Sequence, residues 1–249
     1  MTTVSALTWN IGNPSLKRSG AQLSAILSLD PDILCLTETK ASEGCDWLVS
    51  NLRNVGYHVY FPAPENGNYG VIIATRFPHS EIGTIGPSGL EARAPIAKLS
   101  VGINVIGIYV PSNASTPEKR TRKRVFIETV NSALKTTEHI PTVLLGDLNS
   151  VPSMSLPVPF VDSNDAQWVD SLLANWTDCL AADPGPTWFG WRGEKYRYDY
   201  CFARGLVVTG GERLMNLQAP GLSDHVGLRC TFESPTPEVE LEKSRKWTF

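Results

Sequence analysis

Short apolar segments alternate with helical patterns along most of the chain, and this alternation constrains the fold more than any other feature. Each segment is rich in β-branched and aromatic residues, and glycine or proline brackets most of them, as is typical of buried strands. The predicted strands are Val4–Ile11, Ile33–Thr37, Tyr69–Thr75, Ile96–Val101, Asn104–Val110, Thr142–Leu145, Tyr198–Ala203 and Val226–Phe232. The pattern therefore predicts a sheet-rich protein with intervening helices.

Helical patterns separate several of these strands. Apolar residues recur at helical spacing, and Thr116 followed by Pro117 is a typical helix start. The predicted helices are Leu16–Leu29, Ser42–Val55, 117 to about 135, and Ala166–Ala181. Intervening helices favour parallel strand pairs, whereas hairpin-close strands, as around Gly102, favour antiparallel pairs. The mixture predicts an α/β fold with two stacked mixed β-sheets and helices outside.

The composition is that of a globular protein with a large core. The chain has 249 residues, of which 42% are apolar, and no low-complexity linker interrupts residues 1–233. We therefore expect a single domain over 1–233 and a solvated, charged tail over 234–249. The net charge of −3 excludes a basic coat over the whole surface but not a local positive groove.

The sequence also bears on the cellular context. No apolar run approaches the roughly 20 residues that cross a bilayer, and the amino terminus lacks the pattern of an export signal. The five cysteines form no C-x-x-C motif and have no histidine set nearby. We therefore expect reduced cysteines, a cytoplasmic location, no membrane partner and a monomer.

Residues of the types that bind metal ions and phosphates lie in or beside six of the predicted strands. They are Asn10, Glu38, Tyr109, Asp147 with Asn149, Asp199, and Asp224 with His225. A single aspartate after a strand is usually a turn residue. Four carboxylates, two amides, a tyrosine and a histidine at six such positions are hard to explain as turns, so the pattern favours one shared functional site.

Four carboxylates in one cleft imply either bound protons or a bound cation. Two carboxylates about 4 Å apart repel by roughly 4 kcal/mol at an effective dielectric of 20. Hard oxygen ligands with no cysteine and one histidine favour Mg²⁺ or Mn²⁺ over zinc. Because Mg²⁺ keeps several positions for water and phosphate oxygens, the set points to phosphate-ester chemistry.

Short motifs in this order resemble those of the endonuclease/exonuclease/phosphatase superfamily, closest to its exonuclease III and abasic-site endonuclease branch. The motifs are ETK at 38–40, NYGVIIATR at 68–76, YVPSN at 109–113, GDLN at 146–149, YDY at 198–200 and SDH at 223–225. The resemblance covers nearly all of residues 4–232. It implies a four-layer α/β/β/α sandwich, with the site at the end of the two sheets where the strand ends converge.

The resemblance also implies a role for each residue of the set. Glu38 would bind the catalytic metal, and Asp224 would complete the metal or phosphate environment. Asn10 and Asn149 would position metal-bound groups and the phosphate, and Tyr109 would bind a phosphate oxygen. Asp147 would orient or deprotonate the attacking water, and Asp199 would hold the ring of His225. A carboxylate behind an imidazole fixes its tautomer and raises its pKa, so His225 would stabilise charge on the phosphate.

Two departures from related patterns bear on the metal and the substrate. The branch usually carries an acidic residue two positions past the asparagine, and Gly12 stands there in this chain. Branches similar to pancreatic deoxyribonuclease, sphingomyelinases and inositol phosphatases tend to carry a histidine where this chain has Tyr109, and Tyr109 with ETK favours the exonuclease III branch. The resemblance therefore implies Mg²⁺- or Mn²⁺-dependent cleavage of DNA, a role in DNA repair, and a metal site that lacks one acid.

Two basic segments are candidates for substrate binding. Lys119 and Arg122 belong to a basic cluster at 119–124, which is either a phosphate-backbone contact or a solvated helix face. Trp191, Arg192 and Arg197 lie in the segment TWFGWRGEKYRY, which either contacts bases and phosphates or packs in the core. Of the two tryptophans in that segment, we expect Trp191 rather than Trp188 at the site.

Three further alternatives stay open at the level of sequence. The same scaffold serves hydrolases of non-nucleic phosphodiesters or phosphomonoesters. A binding module that has lost catalysis would also keep the fold, although it would be expected to have lost more of the acids than the position of Gly12. The loop Val151–Asn164 is either a wall of the site or a plain surface connector.

Overall fold

The computed structural model describes residues 3–112 and 115–233. Asn113 of the YVPSN motif and the predicted tail at 234–249 lie outside the described residues. The helices are α1 Leu16–Leu29, α2 Glu43–Asn54, α3 Pro117–Thr136 and α4 Ser163–Asn175. The strands are β1 Thr3–Asn10, β2 Ile33–Thr39, β3 His58–Tyr60, β4 Gly70–Thr75, β5 His79–Thr84, β6 Pro95–Leu99, β7 Asn104–Tyr109, β8 Thr142–Asp147, β9 Thr177–Asp178, β10 Trp188–Phe189, β11 Lys195–Tyr196, β12 Asp199–Arg204, β13 Val207–Leu214 and β14 Gly227–Glu233.

Two mixed sheets of six strands each form the framework. The first sheet has the order β13-β14-β1-β2-β4-β3 and the second has β5-β6-β7-β8-β12-β9, while β10 and β11 form a separate hairpin. In each sheet one central pair is parallel, β1 with β2 and β7 with β8, and the other pairs are antiparallel. The predicted pair of mixed sheets is confirmed.

Three apolar clusters hold the layers together. The central cluster lies between the sheets and includes Val71, Val105 and Leu228. Two outer clusters bury one face of each helix pair: α1 and α2 cover the first sheet, and α3 and α4 cover the second. Because each sheet is covered on both faces, its central strands read as continuous apolar runs. The four-layer α/β/β/α sandwich is confirmed.

Capping residues set the helix boundaries. α1 has the predicted bounds, and Ser42 and Thr116 cap α2 and α3 through their side-chain oxygens. The prediction for the fourth helix is wrong, since α4 spans Ser163–Asn175. Asp162 caps it in a reciprocal capping box, and the residues after Trp176 leave the helix to pair with β12 as β9.

The strands that the sequence reading missed are short or lie at sheet edges. β3, β5, β9 and β13 occupy the four edges of the two sheets. β13 contains Gly210 and Gly211 and has a mostly half-exposed or exposed face. Edge strands bury little apolar area, so their sequences carry a weak apolar pattern. No helix among residues 3–112 and 115–233 has the length and apolar character needed to cross a membrane.

A buried ion pair fixes the loop that follows β8. Lys123 belongs to the predicted basic cluster, but it is buried rather than exposed, with its Nζ atom 2.8 Å from a carboxylate oxygen of Asp165. The same ammonium donates to the carbonyl oxygens of Asn149 at 2.9 Å and Phe160 at 3.3 Å. Lys123 therefore links α3, α4 and the loop 151–164, which is a pinned segment rather than a free connector.

This ion pair yields a stability prediction. Lys123→Met leaves Asp165 buried without its partner, so the free energy of unfolding in urea should fall by about 3–5 kcal/mol. The matched control is Arg124→Met, which breaks an exposed pair with Glu128 on the same helix and should cost less than about 1 kcal/mol. Equal losses in the two variants would contradict the assigned role of Lys123.

Candidate active site

The predicted site residues meet at one edge of the sandwich. In the first sheet β1 and β2 run parallel, so Asn10 and Glu38 emerge at the same edge. In the second sheet Tyr109 and Asp147 are register partners at the ends of the parallel strands β7 and β8. Asp199 opens the antiparallel strand β12 opposite Asp147, so it reaches this edge from the other direction.

The side chain of Asn10 joins the two sheets. Its Nδ2 atom donates to Oε2 of Glu38 at 3.0 Å and to Oδ2 of Asp147 at 2.9 Å. Its Oδ1 atom accepts the backbone N–H of Gly12 at 3.0 Å, which fixes the orientation of the amide. Glu38 of the first sheet and Asp147 of the second are therefore held on either side of one buried amide.

Two residues of this set have a left-handed backbone. Glu38 has φ +58° and Asn149 has φ +43°. A carboxylate residue in this region is strained, and such strain persists where surrounding contacts hold it. Asn149 is held by its N–H, which donates to Oδ1 of Asp147 at 2.8 Å, and by its Nδ2, which donates to the carbonyl oxygen of Val110 at 2.9 Å. Both positions aim a polar side chain out of the regular strand direction.

Asp199 and His225 form a buried acid–imidazole pair. Oδ2 of Asp199 lies 2.7 Å from Nδ1 of His225, so Nε2 is the ring nitrogen free for other contacts. Ser223 sets the position of the histidine, since its Oγ accepts the N–H of His225 at 3.0 Å and donates to the carbonyl oxygen of Asn10 at 2.7 Å. Donor atoms of Asp147, Asp199 and His225 all lie within 4.8 Å of one another.

The surroundings of the site raise the pKa values of both Asp147 and His225. Burial raises the pKa of the Asp147 carboxyl to about 7, and the Asp199 charge acts in the same direction. Burial alone would lower the pKa of the His225 imidazole, but the charge and hydrogen bond of Asp199 outweigh it and raise that pKa to about 10. At neutral pH the site therefore combines a base near its titration point with a cationic imidazole.

Tyr109 faces a wall of cationic and aromatic side chains that the sequence reading missed in part. Burial raises its pKa well above the ordinary value, and the charges of Glu38 and Asp147 add to the effect, so the hydroxyl stays protonated. The guanidinium of Arg93 lies 4.7 Å from the Tyr109 ring centre, and Lys40 lies 4.3 Å from that of Tyr69. Arg93 belongs to a short 3-10 helix outside every motif, so no local signal identified it.

Trp188, rather than the predicted Trp191, is the tryptophan that is hydrogen-bonded to an acid of the predicted set. The Nε1 atom of Trp188 donates to Oδ2 of Asp224 at 2.9 Å, and its backbone pairs with that of His225. Trp191 lies in the turn between β10 and β11, where it is 87% exposed beside Arg192. Trp191 is three residues further along the hairpin than Trp188, so its side chain lies at the tip of the hairpin and not beside Asp224.

The predicted basic contacts divide into exposed and structural residues. Lys119, Arg122 and Arg192 are exposed, and Arg122 donates to Oδ1 of Asn68 at 2.6 Å. Arg197 is a correction, because its guanidinium bonds Asp178 at 2.7 Å and stacks on Tyr200. That guanidinium is therefore mostly buried and has an ion-pair partner inside the protein.

Gly12, which stands where the related branch usually has an acidic residue, has a left-handed backbone and lies beside Arg18. Gly12 has φ +58°, and Arg18 donates through Nη2 to its carbonyl oxygen. A Cβ atom at this glycine would lie 3.4 Å from Nη2 of Arg18. A carboxylate there would therefore stand beside a guanidinium, so a cation occupies the neighbourhood of the missing acid.

Comparison with known proteins identifies relatives of this fold. The profile of the Endonuclease/Exonuclease/phosphatase family matches residues 7–225. The structure of the 3′ phosphatase NExo from Neisseria, bound to a product DNA hairpin, is similar with a TM-score of 0.79 and 23% identity over 92% of this chain and 99% of that chain. An AP endonuclease from Archaeoglobus fulgidus gives the same values.

The structure of the 3′-5′ exonuclease NExo from Neisseria meningitidis is also similar, with a TM-score of 0.78 and 24% identity. The match covers 92% of this chain and 100% of that chain. These likenesses show that the chain has their fold. No curated protein sequence matches the chain at a significant level.

The acid–imidazole pair predicts a pH-dependent stability. In metal-free buffer the folded protein keeps His225 charged up to about pH 10. An unfolded histidine loses its proton near its ordinary pKa of about 6.5. The contribution of the pair to the free energy of unfolding is therefore complete below about pH 6.5, and it is lost as the pH rises through about 10. The gap in unfolding free energy between wild type and His225→Gln should shrink by on the order of 3 kcal/mol from about pH 6 to about pH 10.

The control for this measurement is His139→Gln, at a histidine that lies exposed before β8. Its gap from wild type should stay near zero over the same pH range. A gap for His225→Gln that stays constant or grows with pH would show that the imidazole is not held as a cation by Asp199.

Proposed function

Because the chain belongs to the endonuclease/exonuclease/phosphatase family, we propose that it is a divalent-metal-dependent phosphodiesterase that cleaves DNA. One observation carries the proposal: the Asn10 amide holds Glu38 and Asp147 together across the two sheets, beside the Asp199–His225 pair. A metal-binding acid, a base and a cationic imidazole in one cleft are the groups that phosphodiester hydrolysis requires.

Each of these groups has a task in attack on the phosphate. Asp147, with its pKa near neutrality, accepts a proton from the attacking water. His225 presents a cationic ring whose Nε2–H donates to a phosphate oxygen as negative charge develops there. Tyr109 keeps its hydroxyl proton and donates to another phosphate oxygen. The cation of Arg93, beside that tyrosine, adds positive potential at the same wall.

The donor set fits a hard divalent ion. Glu38 is half-exposed, and Asn10 engages its Oε2 atom, which leaves the other carboxylate oxygen free to bind. Glu38, the Asn10 side-chain oxygen and Asp224 are the residues proposed to hold Mg²⁺ or Mn²⁺. The bound ion would neutralise charge on the phosphate oxygens. With Gly12 and Arg18 in place of an acid, we expect weaker metal binding than a two-acid site would have.

The trio of Asp147, Asp199 and His225 is less suited to hold that ion. A metal bound to His225 through Nδ1 would compete with the 2.7 Å contact to Asp199, and one bound through Nε2 would have to displace the proton of the cationic ring. A proton on the imidazole already compensates one carboxylate charge there. The cation is therefore assigned to the Glu38 side of the cleft and the proton to the His225 side.

Three features support DNA as the substrate. His58, His79 and His139 lie at or near strand ends on the opposite edge of the sheets, so His225 is the histidine of the cleft. Branches similar to pancreatic deoxyribonuclease, sphingomyelinases and inositol phosphatases tend to have a second histidine where Tyr109 stands here, whereas Tyr109 together with the ETK motif resembles the exonuclease III branch. The NExo structure, with the same fold, contains a product DNA hairpin. A repair role forms part of the proposal.

Three exposed cationic side chains suit binding of a polyanion. They are Arg192 on the β10–β11 hairpin and Lys119 and Arg122 on the first turns of α3. None of the ion pairs between described residues includes any of these three side chains. Such side chains give sequence-independent affinity for a phosphate backbone. Trp191, exposed beside Arg192, offers a flat surface on which a base stacks.

A substrate panel tests the proposal. The purified protein is assayed on abasic duplex DNA, plain duplex and single-stranded DNA, RNA, bis-p-nitrophenyl phosphate and a phosphomonoester, each with Mg²⁺, Mn²⁺ or EDTA. We expect metal-dependent cleavage of DNA that falls by about 10²–10⁴-fold in Asp147→Asn and in His225→Ala, because each removes a group that acts on the reacting atoms.

Matched variants separate catalysis from general damage. His139→Ala and Glu81→Gln remove an exposed histidine and an exposed acid away from the cleft, and both should keep wild-type rates. Hydrolysis of the small esters alone, with every nucleic acid intact, would overturn DNA as the substrate. Undiminished activity in EDTA would overturn the metal requirement.

A further inference from the structure

Three cysteines that are far apart in the sequence meet in the core. Cys179 follows β9, Cys201 lies on β12 and Cys230 lies on β14, and their sulfur atoms are all within 4.8 Å of one another. All three are free thiols and all are buried. The spacing of the three residues along the chain matches no metal-binding motif, so no local pattern indicates the group.

The topology brings these thiols together from both sheets. Cys179 continues the antiparallel register of β9 with β12, and its N–H donates to the carbonyl oxygen of Cys201 at 2.9 Å. Cys230 comes from β14 of the first sheet. The three-thiol group, Cys179 with Cys201 and Cys230, therefore spans the space between the sheets.

A glycine makes this convergence sterically feasible. Gly211 on β13 is the register partner of Cys230. A Cβ atom at Gly211 would lie 1.8 Å from the carbonyl oxygen of Cys179, which no side chain would tolerate. The missing side chain lets the Cys179 segment approach the first sheet closely enough for its sulfur to reach Cys230.

The group is chemically separate from the active site. Cys201 lies two residues along β12 from Asp199, and no active-site carboxylate belongs to the three-thiol group. Among the described residues the group contains neither an imidazole nor a carboxylate. Sulfur donors alone select soft metal ions, whereas the oxygen donors of the active site select hard ones.

We propose that Cys179, Cys201 and Cys230 form a binding site for a soft, thiophilic metal ion, for which Cu(I) is the matching probe. Three sulfur donors suit a three-coordinate ion, while structural zinc sites almost always have four ligands. Each thiol that becomes a thiolate ligand releases one proton, and no electron transfer is involved.

Competition for Cu(I) tests the site without reference to any enzymatic activity. The protein is titrated anaerobically, with ascorbate as reductant, against the coloured Cu(I) complex of bicinchoninate. We expect wild type to remove one Cu(I) per chain from the chelator. Cys230→Ala and Cys179→Ser should each bind more than about tenfold more weakly, because two thiols replace three.

Two controls keep the result interpretable. Cys45→Ala removes a buried thiol outside the group and should bind Cu(I) as wild type does. Cys179 is the least buried of the three, with 6% of its surface exposed, so Cys179→Ser tests the site if Cys230→Ala fails to fold. Cu(I) should also raise the melting temperature of wild type and of Cys45→Ala but not of Cys179→Ser.

Two outcomes would overturn the proposal. One is competition by wild type that is no stronger than that of Cys179→Ser. The other is a loss of Cu(I) affinity in Cys45→Ala that equals the loss in Cys179→Ser, since binding would then follow the number of thiols and not their place in the fold.

Discussion

The hydrogen bonds of the buried Asn10 amide are the contacts on which the rest of the site depends. This side chain ends a strand of the first sheet and bonds a carboxylate from each sheet, Glu38 at 3.0 Å and Asp147 at 2.9 Å. The two parallel strand pairs must therefore end at the same edge and at matching heights. The sandwich meets that requirement, because β1 and β2 face β7 and β8 across the apolar core.

The electrostatics of the cleft follow from this arrangement. Burial of Asp147 beside Asp199 would leave two carboxylate charges in a poorly solvated space. The His225 proton compensates one of these charges through the 2.7 Å contact with Asp199. In the proposed function, a divalent cation bound by Glu38 would compensate the negative charge that remains in the cleft.

Sequence patterns predicted those parts of the molecule that local periodicity and caps determine. The central strands, α1, and the site residues from Asn10 to His225 were predicted because each carries its own signal. Trp188, Arg93 and the three-thiol group were not, since their roles arise from strand register and from contacts between residues 16 or more positions apart in the chain. Lys123 and Arg197 were misread for the same reason: a charge cluster does not reveal which of its members finds a buried carboxylate.

We propose that a divalent cation binds at the carboxylate of Glu38, which the Asn10 amide joins to Asp147. An anomalous difference map from crystals of the protein soaked in Mn²⁺ tests this. We expect a manganese peak in the cleft, bonded to the carboxylate of Glu38. Manganese bound elsewhere on the molecule, with no peak at Glu38 under saturating Mn²⁺, would contradict it.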